Sequence, residues 1–477
     1  MSKRLPPGPI NFNAPFGLTW RHYWKLRTDP IRHAIELSNK YGDVAFFRVF
    51  WHRMVLINHP DLIHQVLVTE SECFPKFDRV RNHLRQATGE GLLVTQGKVW
   101  RQQRLETQKT FRSSRMDSFG KLTANHTTAM LTRWRGKSDV QIEHEMTALT
   151  QAIMGEGFFG VPLSGSQRIA DAVRTLSDIF HEESRALFQL PDWFPSHSIR
   201  QKKASIQLLQ NTLSSVIQDR LESGERRDDF LDMLLHASGN RSKPDLNPIN
   251  IDGIRSQLLT MYLAGFHTTS VALAWLMFAV ARHEDVQRRL RKEVHQVCGE
   301  TPPGTQHVDQ LKYTQMVVKE TLRLYPPSWE LFARRSVRDT ELGGYRVPAK
   351  SLVLIMPILT HRDPRFFPNP MEFDPLRFSP SREHEIPPHA WFPFGAGPHH
   401  CIGKSMALMQ MTQILAAVIQ KFELKLDETE AQEIPVVPKV SLRPAKDIKL
   451  LITPRKAELS STTGLVRDQP SFGIQSQ

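Results

Sequence analysis

Cysteine is scarce: Cys73, Cys298 and Cys401 are the only three in a chain of 477 residues. A count that is odd and low for this length excludes a disulfide framework of the small secreted kind. No Gly/Ser linker, Pro-rich hinge or internal repeat divides the chain. The N-terminus, MSKRLPPGPINFNAPFG, contains no apolar stretch, so it reads as neither a signal peptide nor an anchor. Together these absences point to a reducing cytoplasm. Acid is the scarcer charge, with 49 acidic against 62 basic residues and a net charge of +13. Nucleic acid is not the implied partner, because zinc-finger spacing, a basic heptad region and basic runs interleaved with aromatics are all missing. The excess is either a solvated basic face or a docking face for an acidic protein.

What is present reads mainly as helix with small β-sheets. DPIRHAIELSNKYG opens on Asp-Pro and closes on Gly42, a start and stop pair for one helix. VAFFRVF and RMVLINHP read as a hairpin, rich in β-branched and aromatic residues. Residues 98–135 read as two basic amphipathic helices, and 167–240 as helices broken by LPDWFPSHS. RSKPDLNPIN (241–250) is a loop. VDQLKYTQMVVKETLRLYPP reads as a helix stopped by Pro326 and Pro327, YRVPAKSLVLIMP as sheet, and HRDPRFFPNPMEFDPLRFSP as irregular but ordered. FELKLD, KVSLRP and IKLLITP alternate like a small terminal sheet. The expected organisation is an N-terminal extension over 1–29 without a membrane anchor, one body over 30–455, and a disordered tail over 456–477.

From about Ile251 to His283 runs a proline-free helix. Its stretch from Leu258 to Ala281 has roughly the two dozen residues that would cross a bilayer. A helix apolar all round fits equally well through the middle of a large domain. The polar cluster AGFHTTS at its centre favours that second reading, so no membrane span is expected. Gly265 weakens a helix by about 1 kcal/mol relative to Ala, and His267, Thr268 and Thr269 set polar atoms among apolar neighbours.

Cys401 is the sharpest single residue. It lies in FGAGPHHCIGKSMA, where glycines let backbone fold tightly around the sulfur at the entry to a helix. Free N–H groups and the helix dipole there stabilise a thiolate, which can attack a substrate or bind a metal. His399 and His400 are adjacent, but structural zinc wants four ligands in spaced pairs and no second pair is evident. Either histidine remains a possible base for a catalytic thiol. Cys73 and Cys298 have no such loop and read as small buried hydrophobes. Glu320 and Arg323, three apart on an amphipathic helix, share a face. If buried, the pair needs further partners, for which Arg377 in FDPLRF is a candidate.

Taken together these segments resemble the cytochrome P-450 family of haem-thiolate monooxygenases. The family's ligand loop runs Phe, two residues, Gly, one, Arg or His, one, Cys, one, Gly; here these are Phe394, Gly397, His399, Cys401 and Gly403. Glu-x-x-Arg is Glu320 and Arg323, with Arg377 as third member; Trp-x-x-x-Arg is Trp100 and Arg104. The oxygen-binding pattern is Ala264-Gly265-Phe266-His267-Thr268-Thr269. The motifs fall in the family's order across about residues 30–455 and as a set are very specific.

The resemblance implies the family's fold, with the long central helix over a haem and the cysteine loop beneath it. It implies haem b (iron protoporphyrin IX) with Cys401 as axial thiolate, which pushes electron density onto iron. Trp100, Arg104, His399 and Arg334, with Arg335 as rival, would hold the propionates. Glu320, Arg323 and Arg377 would be structural. Thr268 would face O2, and Ala264 and Gly265 would leave it room. His267 stands where the family usually carries an acid; it either relays protons, since an unperturbed imidazole titrates near pH 6.5, or fills a helix groove. By analogy the substrate pocket comes from 77–93, 178–194, 261–268 and 328–332. Its apolar content implies a lipophilic substrate, a lipid, terpenoid or steroid-like molecule, with Glu330 and Arg85 as odd charges. No flavin or iron–sulfur module follows residue 455, so electrons would come from an acidic ferredoxin or flavodoxin docking near Lys98, Lys109, Arg112 and Lys404. The rivals are a haem-thiolate peroxygenase or isomerase and a non-catalytic haem binder.

Overall fold

The structure is a computed structural model that describes residues 4–9, 16–111, 113–161, 166–186, 191, 193–227, 229–237, 251–427 and 434–455. Local signals set many element ends. The helix Pro30–Tyr41 starts where the Asp29 carboxylate accepts from the Arg32 N–H at 3.1 Å, and stops at Gly42, whose φ of +83° suits glycine. The two basic helices are Gly97–Gln108 and Ser113–Trp134. Next come Ile142–Phe159, Ser166–Arg185, His197–Ser223 and Phe230–Ala237.

The strands are β1 (Val44–Val49), β2 (His52–Ile57), β3 (Asp139–Gln141), β4 (Arg334–Arg335), β5 (Thr340–Leu342), β6 (Tyr345–Val347), β7 (Leu352–Ile355), β8 (Phe422–Leu426), β9 (Val436–Pro438), β10 (Leu442–Pro444) and β11 (Lys449–Pro454). The hairpin of β1 and β2 pairs Val44 with Ile57 through to Val49 with His52. β2 continues parallel to β7, and β7 pairs antiparallel with β4, setting Arg334 opposite Val353. β11 joins β3 and β8 into a second sheet.

The central helix spans Ile251–Arg282 and carries no charged residue between Arg255 and Arg282. Among the described residues it is the one helix long and apolar enough to cross a membrane, and 72% of its apolar window is buried inside the protein. Residues 269–280 are buried on every face, as an all-round apolar helix in a domain core must be. Trp275 locks it: the indole donates to the Leu442 carbonyl of β10 at 2.7 Å and stacks on Tyr325 with centroids 4.3 Å apart.

Some boundaries shift. The body takes in part of the segment 1–29: helix Phe16–Thr28 packs on β1 and helix Pro30–Tyr41, the Phe46 N–H donates to the Pro7 carbonyl, and the Arg346 N–H to that of Arg4. Part of the segment read as an extension thus packs on the body. The helix read from VDQLKYTQ onward starts four residues into that stretch, as Lys312–Leu324, and stops before Pro326 and Pro327. The loop at 241–250 and the tail at 456–477 lie outside the described residues.

Candidate active site

The cysteine loop is built around close backbone contacts. Gly397 has φ +68°, and a Cβ there would sit 1.9 Å from the Leu67 carbonyl oxygen. Only glycine lets the loop lie against residues 67–68. The Cys401 N–H donates to the Phe394 carbonyl at 2.8 Å, which closes the loop. Gly403 caps the helix Lys404–Lys421 and its N–H points at the thiol. Cys401 is open, but to an internal cavity rather than to the outer surface. Burial raises its thiol pKa, while the Gly403 N–H and the charges of Arg104 and Lys404 pull it down. Neither neighbouring histidine converges on the sulfur. The His399 ring packs on Trp100 with centroids 3.9 Å apart, and the His400 ring nitrogen lies 3.0 Å from Arg104 Nη2.

Beside the loop, cations gather without acids. Arg104 donates to the His400 carbonyl at 2.8 Å. Arg334, on β4, is buried and its Nε has no partner; burial lowers its pKa to about 10. Alternation along the strand turns Arg335 the other way, 3.5 Å from the Asp78 carboxylate. Lys76 forms a β-bridge with Arg334 and its Nζ donates to the Leu93 carbonyl at 3.0 Å. Burial, then Arg334, Arg81 and Arg104, bring its pKa down to about 7. His399 is pushed down to about 3 by burial and then by Lys76, Arg334 and Arg104, and its Nδ1 is buried without a partner. This is an electrostatic deficit that an anionic ligand would fill. Sequence reasoning missed Lys76, although a lone lysine inside FPKFD was a visible signal.

Across the cavity stands the central helix, with Ala264, Gly265, His267 and Thr268 in the wall. Thr268 Oγ1 donates to the Ala264 carbonyl at 2.7 Å, leaving its lone pairs as the feature it can present. Gly265 has a second use: a Cβ there would meet Met154 Sδ at 3.2 Å, so its missing side chain lets helix Ile142–Phe159 approach. His267 lies 3.1 Å from Arg443 Nη2. Burial, then Arg443 and Arg174, lower its pKa to about 3. This overturns the premise that it titrates near 6.5: from pH 6 to 8 the ring is neutral, and an arginine donor occupies one of its nitrogens. Arg443 had no sequence signal; the Trp275–Leu442 bond delivers it by fixing β10 on the helix.

The cavity has a volume of about 680 Å3 and reaches from Cys401 to an apolar wall of Phe77, Val80, Val173, Leu176, Phe180 and Leu331. Each stretch expected to form the pocket contributes to it, apart from residues outside the described set. Arg85 does not; it pairs with Glu90 at 2.6 Å. Glu330 does. Away from the cavity, Glu320, Arg323 and Arg377 come together. Arg323 donates twice to Glu320 at 2.7 and 2.8 Å, and to the carbonyls of His361, Pro370 and Glu372. All five of its donors are used. Arg377 donates to Glu320 at 3.3 Å and to the carbonyls of Pro368 and Asn369.

A family model described as cytochrome P-450 matches residues 6–452. The chain is 29% identical over 450 residues to cyclooctatin synthase of Streptomyces melanosporofaciens, covering 91% of this chain and 95% of that protein. To cyclooctat-9-en-7-ol 5-monooxygenase of the same organism it is 29% identical over 442 residues, covering 89% and 94%. A human relative, cytochrome P-450 4V2, is 28% identical over 426 residues, covering 83% and 79%.

Proposed function

The chain belongs to the cytochrome P-450 family, and on that premise we propose that it is a monooxygenase hydroxylating or epoxidising a terpenoid-like lipophilic substrate. The single observation carrying this is the cavity, apolar along its far wall and bounded by the Thr268 groove on one side and Cys401 on the other. The two bacterial relatives, one named for a terpenoid-type alcohol, support the substrate class.

The residues present fit a haem. Its propionates would meet Arg104, Arg334 and Lys76, whose buried donors include the orphaned Arg334 Nε, with Trp100 and His399 beside them. Cys401 would hold the iron through its sulfur, tempered by the Gly403 N–H. Phe394, Ala264 and Gly265 line the same cavity and would border the group. When bound, haem with a thiolate ligand supplies O2 activation. The chain's own work is to hold the substrate against the groove, to exclude bulk water, and to steady a hydrogen-bonded water at Thr268 Oγ1.

Electrons come from a separate acidic ferredoxin or flavodoxin-type protein in this reading. Lys98, Lys109 and Lys404 are exposed, and Lys404 acts on Cys401, which supports it; Arg112 lies outside the described residues. A cytoplasmic setting agrees with the largely buried central helix and with free Cys73, Cys298 and Cys401. The test is a screen of terpenoids and fatty acids for a spin-state shift, followed by product analysis with a ferredoxin system. Oxygenated product from a terpenoid is the expected result. Turnover of fatty acids alone, or no oxygenated product from any shift-inducing compound, overturns the proposal.

A further inference from the structure

Glu330 is the only carboxylate among the described residues that line the cavity. It makes no hydrogen bond there and closes no ion pair with a described residue. Half-buried in the cavity wall without a protein partner, the carboxyl is open to a ligand group. Its position is fixed. The Leu331 N–H donates to the Ile355 carbonyl of β7 at 2.9 Å, and the Trp329 indole donates to the Lys439 carbonyl at 2.8 Å. These two anchors hold the backbone on either side of Glu330.

The helix Ser166–Arg185 lines the same cavity. Ser177, His181 and Arg185 recur every four residues on one side of that helix and line the same cavity. Ser177 Oγ is buried with no partner. Burial and the nearby Arg185 and Lys439 push His181 down to about 4, so the ring is neutral. Arg185 uses Nη1 on the Leu26 carbonyl, lies 5.5 Å over the Trp329 ring, and is the charge that acts on Glu330.

This set selects among ligand chemistries. A substrate ammonium would be drawn to Glu330 but repelled by Arg185. A substrate carboxylate would meet the reverse. A hydroxyl suits both, since it can donate to the Glu330 carboxyl and accept from the Arg185 guanidinium. We propose that Glu330 recognises a hydroxyl on the substrate, so that the enzyme oxidises a lipophilic alcohol in preference to the parent hydrocarbon. The reaction that supplies this substrate must therefore already have installed the hydroxyl. The inference rests on the terpenoid reading above, and refines it.

The test uses haem-loaded protein and two matched pairs: cedrol with cedrane, and geranylgeraniol with its 1-deoxy hydrocarbon. Dissociation constants are read from the spin-state spectrum, with the ferrous carbon-monoxide spectrum as control for an intact site. The wild type is expected to favour each alcohol by about tenfold, the worth of one well-made hydrogen bond. Glu330→Leu is expected to abolish the preference while keeping or improving hydrocarbon affinity. Glu330→Gln, which still accepts and donates, is expected to retain part of it. Equal binding within each pair by the wild type, or an undiminished preference in Glu330→Leu, overturns the inference and leaves the terpenoid reading standing. Binding of no compound by any of the three proteins overturns both.

Discussion

Replacing His267 with Gln isolates the electrostatics of the oxygen groove. The amide can still accept from Arg443, so the geometry is kept while the titratable ring is lost. The ring's folded pKa is about 3, against an ordinary value of 6.5. Between those values the unfolded chain takes up a proton that the folded one refuses. Wild-type stability therefore falls as pH drops below 6.5, while above it both states are neutral and nothing changes. From pH 7 to pH 5 the loss assigned to this one ring is about 2 kcal/mol at most. Its partial access from the cavity reduces that to about 1–2 kcal/mol. The assay is urea unfolding of the haem-loaded wild type and variant at pH 7, 6 and 5. Other buried histidines, among them His22, His33 and His361, are common to both proteins and cancel in the difference. The variant should gain on the wild type by that amount on acidification. A stability difference that stays constant from pH 7 to 5 refutes the reasoning. The same argument requires that the wild type's fraction of wasted reducing equivalents be flat from pH 6 to 8; a step near 6.5 would restore a titrating imidazole.

Gly265→Ala should leave the carbon-monoxide spectrum intact and change stability by no more than about 1 kcal/mol, because helix propensity gains what the 3.2 Å approach to the flexible Met154 side chain takes away; a collapsed oxygen-complex lifetime would mean the glycine serves oxygen instead. Lys76→Met should speed haem transfer to apomyoglobin by about tenfold, the loss of one charge-assisted hydrogen bond; an unchanged rate would remove Lys76 from the propionate site. Glu320→Gln should destabilise the protein by about 3 kcal/mol, since two buried guanidiniums lose their counter-charge; a loss under about 1 kcal/mol would deny the pair that role. Reversing Lys98 and Lys404 to Glu should slow haem reduction by an acidic ferredoxin and flatten its salt dependence, measured by stopped flow.

The long helices and the hairpin were legible because their signals are local: Asp29-Pro30 with Gly42, alternation in 44–57, and an uncharged run after Arg255. The motif residues were legible as a set, and the structure lines the cavity with Cys401, Arg104, Arg334 and Thr268. What stayed hidden depends on distant contacts. Gly265 looks like a gap for a ligand until Met154 arrives from a helix more than a hundred residues earlier. His267 reads as an ordinary imidazole until β10 brings Arg443 to it. Lys76 had a local signal in FPKFD, but its place beside Arg334 comes only with the bridge between them. The N-terminal segment was set apart because its contacts, with Phe46 and Arg346, are tertiary and leave no local pattern.

The grip of Arg323 and Arg377 falls on main-chain oxygens: those of His361, Pro368, Asn369, Pro370 and Glu372. A carbonyl is the same whatever side chain follows it. This stretch should accept wide changes of residue identity while rejecting a change of length, since one inserted residue would carry every later oxygen out of register with its donor. Anyone transplanting the cysteine loop into another scaffold would have to move 361–378 as a piece of fixed gauge.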